Sequence, residues 1–281
     1  MLGENTPIKE NPFRFRRQWG PTPSYFKVEQ YPYDPPKDLI IVSGPCSVES
    51  AEQIHAIAKK LSGLGVTYLR GGLFRAGTYP KGYFGWVEES LINEYARAAH
   101  ENNMRCVIEV LDYHPETIRL LSKYADAFQV GARQMQNYLL LKILGATKRT
   151  IFLKRHMGST LDEFLGSAEH LLRGGACNPI LIERGSSTYH NHVRWDLSVS
   201  MIPAIKAITK IPIIIDGSHG TGRRDLVEPM TLAGIAAGAH GCLIETHYDP
   251  EHSMSDADQA YPLNDLPALL DKIKKVRSAI T

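Results

Sequence analysis

The stretch IPIIIDGSHGTGRRDLVEPMTLAGIAAGAHGCLIE, residues 211–245, reads as strand, helix, strand. IPIIID (211–216) and GCLIE (241–245) are short and almost continuously apolar, as strands buried on both faces are. Residues 223–238 between them read as a helix. Working outward, runs of the same character recur: LIIVS (39–43), VTYLR (66–70), RCVIEV (105–110), DAFQV (126–130), TIFLK (150–154) and PILIE (179–183). Helical stretches at about 50–63, 88–102, 115–124, 135–145, 160–174, 196–208 and 265–278 fill the remaining intervals. In AEQIHAIAKKLSGLG (51–65), Ile54, Ile57, Ala58 and Leu61 share one face and glycine ends the helix. Eight strand–helix units over about 240 residues match the count and size of a (β/α)8 TIM barrel. A doubly wound open sheet is the competing α/β reading, but no GxGxxG follows the first strand. The barrel is expected over residues 38–281. Residues 1–37, rich in proline and aromatics, are expected to form an extended arm packed outside it.

Composition narrows the function. The chain has 281 residues, with 32 Lys plus Arg against 30 Asp plus Glu, a formal charge of +2. Hydrophobic residues are 43% and charged residues 22%, the balance of a folded chain. Near-neutrality gives no support to nucleic-acid or polybasic membrane binding. No apolar run reaches the ~18 residues a bilayer requires, and MLGENTPIKENPFRFRRQWG has no apolar leader core. Cys46, Cys106, Cys177 and Cys242 are scattered without a CxxC, which fits a reducing cytoplasm.

Chemistry in such a barrel collects at the C-terminal ends of the strands. Two groups stand there. Arg70, Arg75, Arg133, Lys154 and Arg184 form a ring of cations, suited to a small substrate carrying phosphate and carboxylate. The alternative is that they pair with Glu109, Glu183 and Asp216 in the same ring. Cys46, His219, Glu245 and Asp256 form the second group: one soft, one borderline and two hard ligands, suited to Mn, Fe, Co or Zn. Each residue alone is ordinary core or salt-bridge material. They converge only if the barrel closes and makes the first, seventh and eighth strands neighbours.

The motifs GPCSVES (44–50), LRGGLFR (69–75), QVGARQMQN (129–137), LKR (153–155), ERG (183–185), DGSHGTGRRDLV (216–227), AAGAHGCLIETH (236–247) and SMSDADQ (253–259) occur in a fixed order. In them the chain resembles the 3-deoxy-7-phosphoheptulonate (DAHP) synthases, in the branch shared with the 3-deoxy-octulosonate 8-phosphate synthases. The resemblance runs from about 38 to 275. It implies condensation of phosphoenolpyruvate with an aldose or aldose phosphate, giving a 3-deoxy-2-keto sugar acid and phosphate. It implies Cys46, His219, Glu245 and Asp256 as metal ligands, and Arg70, Arg133, Lys154 and Arg184 as phosphoenolpyruvate ligands, with Arg75 where the family usually has lysine. Lys154, Arg75, Cys46 and His219 carry the catalytic expectation, with the divalent metal as Lewis acid toward the aldehyde oxygen. Metal-free octulosonate enzymes replace this cysteine with asparagine, so Cys46 argues for metal dependence. Relatives are homo-oligomers, so a dimer or tetramer is expected.

Two departures fall on the acceptor side. The family's Lys-Pro-Arg-Thr-Ser is here Arg75-Ala76-Gly77-Thr78-Tyr79, and Glu-Arg-Gly-Ile-Arg-Thr-Phe is Glu183-Arg184-Gly185-Ser186-Ser187-Thr188-Tyr189. Thr78 and Ser187 remain as acceptor-side candidates, and Gly77 and Ser187 stand where arginines belong. Either Lys81, His190 or His192 replaces the lost arginines, or the acceptor is a different aldehyde, with its phosphate placed elsewhere or with none. On the second reading, erythrose 4-phosphate is used poorly. A non-catalytic anion-binding barrel is a further alternative.

Overall fold

The barrel strands follow from side chains that alternate between two apolar environments. The computed structural model describes residues 26–75 and 85–281. The barrel strands are β1 Ile40–Gly44, β2 Tyr68–Arg70, β3 Arg105–Val110, β4 Ala127–Val130, β5 Thr150–Lys154, β6 Asn178–Glu183, β7 Ile213–Asp216 and β8 Gly241–His247. All neighbours pair in parallel, and β1 pairs with β8 from Ile40–Gly241 to Gly44–Glu245, so the sheet closes. The fold is the (β/α)8 barrel, and the open-sheet alternative is excluded.

One set of side chains fills the barrel: Ile40, Val42, Tyr68, Val107, Ala127, Phe152, Ile180, Ile182, Ile214 and Leu243. Tyr68 and Phe152 meet edge to face with ring centroids 4.9 Å apart, a contact worth about 0.5–1.5 kcal/mol beyond burial. The other parity, including Ile41, Leu69, Cys106, Ile108, Phe128, Ile151, Leu153, Leu181 and Ile215, packs beneath the helices.

The helices are α1 Ala51–Leu61, α2 Glu89–Glu101, α3 Pro115–Leu121, α4 Tyr138–Ala146, α5 Leu161–Gly174, α6 Met201–Lys206, α7 Arg224–Ala236 and α8 Leu266–Ile280. Their starts are written locally. Thr160 and Glu163 form a reciprocal capping box at α5, and Ser50 accepts from the Gln53 N–H at α1. Three segments differ from the sequence reading. Residues 122–124 form a turn beyond α3, which ends at Leu121. Residues 196–199 are not helical, because Asp196 exchanges backbone hydrogen bonds with Ser186. Residues 135–137 precede α4, whose cap is Asn137. A helical turn, Gly217–Thr221, follows β7 directly, and the short strand Tyr261–Pro262 adds to β8. Phe74–Arg75 pairs antiparallel with Gly85–Trp86.

Most of the expected N-terminal arm, and Ala76, Gly77, Thr78, Tyr79 and Lys81, lie outside the described residues. Residues 26–29 form one helical turn rather than extended chain. Glu169 on α5 accepts from the Lys27 and Val28 N–H groups, each at 3.0 Å. The Thr209 hydroxyl donates to the Val28 carbonyl at 2.6 Å and Tyr31 donates to the Cys177 carbonyl at 3.0 Å. Cys177 and Thr209 precede β6 and β7, so this segment lies across the barrel face opposite the strand C-termini. Among the described residues, no helix is long and apolar enough to cross a membrane.

Candidate active site

The alternation that fills the barrel also builds its mouth. Two residues beyond the interior apolar layer, the inward positions are Arg70, Glu109, Gln129, Lys154, Arg184, Asp216 and Glu245. They are polar at the end where the strands open. Arg70, Lys154, Arg184, Asp216 and Glu245 are all buried. Burial of this many ionisable groups requires mutual pairing or a bound ligand.

Part of the ring is paired internally. Arg70 Nη1 lies 3.1 Å from Glu245 Oε2, and Lys154 Nζ lies 3.1 Å from Asp216 Oδ2. Gln129 donates its amide to Glu109 at 3.1 Å. Glu183 faces the opposite way and holds Arg155, with the Arg155 Nη2 at 2.8 Å. Of the acids considered as partners for the cation ring, Asp216 is the one that takes a ring cation, Lys154, among the described side chains. Arg184 donates to the His219 carbonyl at 3.2 Å and stands 5.2 Å from the Trp195 ring centroid, while its Nη1 is buried without a partner. Burial pulls the Arg184 pKa down to about 10, against the opposing pull of Asp216. Arg133 sits in the turn after β4, exposed, without an ion pair among the described residues. For Arg75 the described feature is its backbone pairing with Gly85. Ser187 is exposed and its N–H donates to the Met157 carbonyl at 2.7 Å.

The second group converges where β1 meets β8. The ligand atoms of Cys46, Glu245 and Asp256 lie within 4.8 Å of one another. Cys46 Sγ is 3.3 Å from Asp256 Oδ2. His219 is not within that trio but abuts it: Nε2 is 3.0 Å from Glu245 Oε2, and Nδ1 is 2.9 Å from Asp216 Oδ2. Burial works to raise the Asp216 carboxyl, yet His219 and Lys154 hold it far below the usual range. Burial lowers the His219 imidazole, but the Asp216 and Glu245 carboxylates reverse this and raise it. Burial, reinforced by Glu245, pushes the Cys46 thiol well up. Glu245 Oε1 is buried and has no partner.

This donor set fits a divalent transition metal. It offers a thiol, two carboxylates and an imidazole, and the orphaned oxygen of Glu245 supplies a buried charge that lacks a cation. Asp216 would hold the proton on Nδ1 and leave Nε2 as the ligand atom. Sequence reasoning placed Asp216 only among the pairing acids, and it missed Gln259, whose amide lies 3.3 Å from Glu245 Oε2. It also missed Arg194 and Trp195, which carry no strand-end signal. For Asp216 the signal was present, since it stands two residues after the inward Ile214.

Residues 35–281 match the model of the DAHP synthetase I family. The chain belongs to the DAHP synthetase I family. It is 40% identical to the phospho-2-dehydro-3-deoxyheptonate aldolase of Thermotoga maritima over 241 residues, 85% of this chain and 70% of that protein. The 2-dehydro-3-deoxyphosphooctonate aldolase of Rhizobium meliloti is 26% identical over 253 residues, 84% of this chain and 88% of that protein. A truncated 3-deoxy-D-arabino-heptulosonate 7-phosphate synthase from Thermotoga maritima superposes with a TM-score of 0.78 at 37% identity, covering 86% of this chain and 87% of that one. As a DAHP synthetase I family member, the chain is an enzyme of the transferase class.

Proposed function

We propose that this enzyme condenses phosphoenolpyruvate with an aldose, erythrose 4-phosphate being the family's acceptor, to give a 3-deoxy-2-keto sugar acid and inorganic phosphate. The observation that carries the reading is the convergence of Cys46, Glu245 and Asp256 within 4.8 Å, beside buried cations with unused donors. Cys46, His219, Glu245 and Asp256 would hold a divalent ion (Mn, Fe, Co or Zn), which supplies Lewis-acid polarisation of the aldehyde oxygen.

The chain's own residues do the rest. Arg70, Arg133, Lys154 and Arg184, with Arg75, bind the phosphate and carboxylate of phosphoenolpyruvate and bring its C3 to about 3–3.5 Å from the aldehyde carbon. C3 bonds to that carbon, and the aldehyde oxygen takes a proton. Water adds at C2 and gives up one proton, leaving a phosphohemiketal, whose hydroxyl gives up its proton as the C2–O bond to phosphate breaks and C2 becomes the ketone. The arginines stabilise charge on the departing phosphate. Lys154, 3.1 Å from Asp216 and 3.5 Å from His219 Nδ1, is placed to hold and donate a proton. Thr78 and Ser187 belong to the acceptor side.

The test is incubation of the purified chain with phosphoenolpyruvate, a divalent metal and a panel of aldehydes, reading phosphate release and product mass. Turnover is expected, with loss in excess chelator and recovery on metal addition. Cys46→Ser should lose metal and activity by orders of magnitude. Release of no phosphate with any aldehyde, or full activity in chelator, overturns the proposal. Assembly as a homodimer or homotetramer is part of the same reading, and sedimentation checks it.

A further inference from the structure

By the resemblance, Gly77 and Ser187 stand where two acceptor-side arginines belong, which leaves the acceptor's binding group to other residues of the mouth. The segment after β6 leaves the barrel and returns. Ser186 and Asp196 exchange both backbone hydrogen bonds at 2.9 Å, and their neighbourhood is tied by the Ser186 and Ser198 hydroxyls at 3.0 Å. The outgoing side of this loop carries Ser187, Tyr189 and His190, all exposed; Tyr189 is 95% exposed. The returning side lays Trp195 and Arg194 back on the mouth. Trp195 is seated against Gly185, where an added Cβ would stand 2.7 Å from the Trp195 Cβ. Arg194 is seated the same way against Gly222, at 2.7 Å from its Cβ, and Gly222 has φ +68°. The Arg194 N–H donates to the Thr221 carbonyl at 2.8 Å.

The Arg194 guanidinium ends at Asp256. Nη1 lies 3.4 Å from Asp256 Oδ1, with side chains 42% and 36% exposed. An exposed, long contact of this kind contributes little, so an anion can displace it. The buried mouth cations differ, and Arg133, though exposed, stands in the turn after β4 with no contact to the metal-ligand cluster among the described residues. Arg70 and Lys154 are tied to Glu245 and Asp216, and Arg184 is buried against Trp195. Arg194 is therefore a solvent-facing arginine held at the edge of the metal-ligand cluster, on a loop anchored at its base.

We propose that Arg194 is the specificity-determining cation for the acceptor, binding the phosphate of a short phosphorylated aldose whose aldehyde end lies at the Cys46–Glu245–Asp256 cluster. This rests on the proposed condensation and names its acceptor class: phosphorylated, with the anion read from the returning side of the β6 loop. The guanidinium leaves Asp256 and takes two phosphate oxygens in a bidentate contact. Trp195 holds the loop end against Gly185 so that the fork stays aimed at the mouth.

A non-reacting probe separates this from the condensation itself. Erythritol 4-phosphate carries the acceptor's phosphate but no aldehyde. Calorimetric titrations of erythritol 4-phosphate, erythritol and phosphoenolpyruvate would be run on the wild type, Arg194→Ala, Arg194→Lys and Lys81→Ala. The wild type should prefer erythritol 4-phosphate to erythritol. Arg194→Ala should weaken erythritol 4-phosphate by about 10–100-fold, the range of a charge-assisted contact. Arg194→Lys should recover part of that loss, and Lys81→Ala should show little change. Unchanged phosphoenolpyruvate affinity in the variants shows that the fold is kept. Equal affinity in Arg194→Ala and wild type, or no preference for the phosphorylated probe, overturns the proposal. Wild type that fails to bind phosphoenolpyruvate overturns the condensation reading instead, while the erythritol 4-phosphate comparison still decides the role of Arg194.

Discussion

Arg70 and Glu245 reach each other across β1: Arg70 Nη1 lies 3.1 Å from Glu245 Oε2 although their strands are not neighbours. The strand between them presents Gly44 at this level, in register with Glu245. Gly44 has φ +145°, and a Cβ there would stand 2.0 Å from the Arg70 carbonyl oxygen. The bare backbone is what allows a buried guanidinium and a buried carboxylate to meet. Gly44→Ala should therefore disturb both strands and destabilise the fold by about 1–3 kcal/mol, measured by denaturant unfolding against wild type. Stability unchanged within error would show that the backbone relaxes without cost.

Glu245→Gln removes the charge that Arg70 and the proposed metal share. Metal affinity should fall at least about tenfold, the equivalent of about 1.4 kcal/mol. Titration of a divalent ion into the apo-protein, followed calorimetrically, reads this without reference to turnover. An unchanged dissociation constant would remove Glu245 from the ligand set.

Asp216→Asn tests orientation rather than ligation. The Asp216 carboxylate lies 2.9 Å from His219 Nδ1 and also accepts the His219 N–H at 2.9 Å. Partners behind a metal-binding imidazole typically contribute 10–100-fold in affinity, so about that loss is expected. Wild-type metal affinity in the variant would mean that the His219 tautomer is set elsewhere.

The Glu183 carboxylate gathers Arg155, the Gly185 N–H at 2.9 Å and the Ser198 N–H at 3.3 Å. It ties β5 to β6 and anchors the loop that carries Arg194. Glu183→Gln leaves the Arg155 charge buried without its counter-ion and should cost about 3–5 kcal/mol in unfolding free energy. A loss under about 1 kcal/mol would show that Arg155 finds water or another acceptor.

His240 lies at the opposite end of the barrel and accepts the Ile213 N–H on Nδ1 at 3.1 Å. Burial, with Lys206 and Arg277 nearby, brings its pKa down to about 4. The unfolded chain then binds this proton at higher pH than the folded one. The stability His240 contributes is complete above about pH 6.5 and is lost as pH falls toward 4, by about 3 kcal/mol in total. Comparing unfolding of wild type and His240→Asn at pH 7 and pH 4.5 isolates this group from the carboxylates. A difference between the two proteins that does not change with pH would refute the shift.

Local pattern alone determined the eight strand–helix units, their order and the ends at which chemistry gathers. β-branched runs such as IPIIID and helical faces such as Ile54, Ile57, Ala58 and Leu61 state their environment within a few residues. The same pattern brought out Cys46, Glu245 and Asp256 by ligand type. It put both Glu183 and Arg184 at the mouth, and it gave no partner for Arg155. In Lys154-Arg155 and Glu183-Arg184 both members are charged, and only strand parity within the closed barrel turns Lys154 and Arg184 inward while Arg155 and Glu183 pair behind them. Nor did it place Arg194 beside Asp256, a contact between residues far apart in the chain. Side chains alternate with period two along a strand, so each orientation follows from the register. The register is set by eight strands closing on one another, which is a property of the whole barrel and of no single segment.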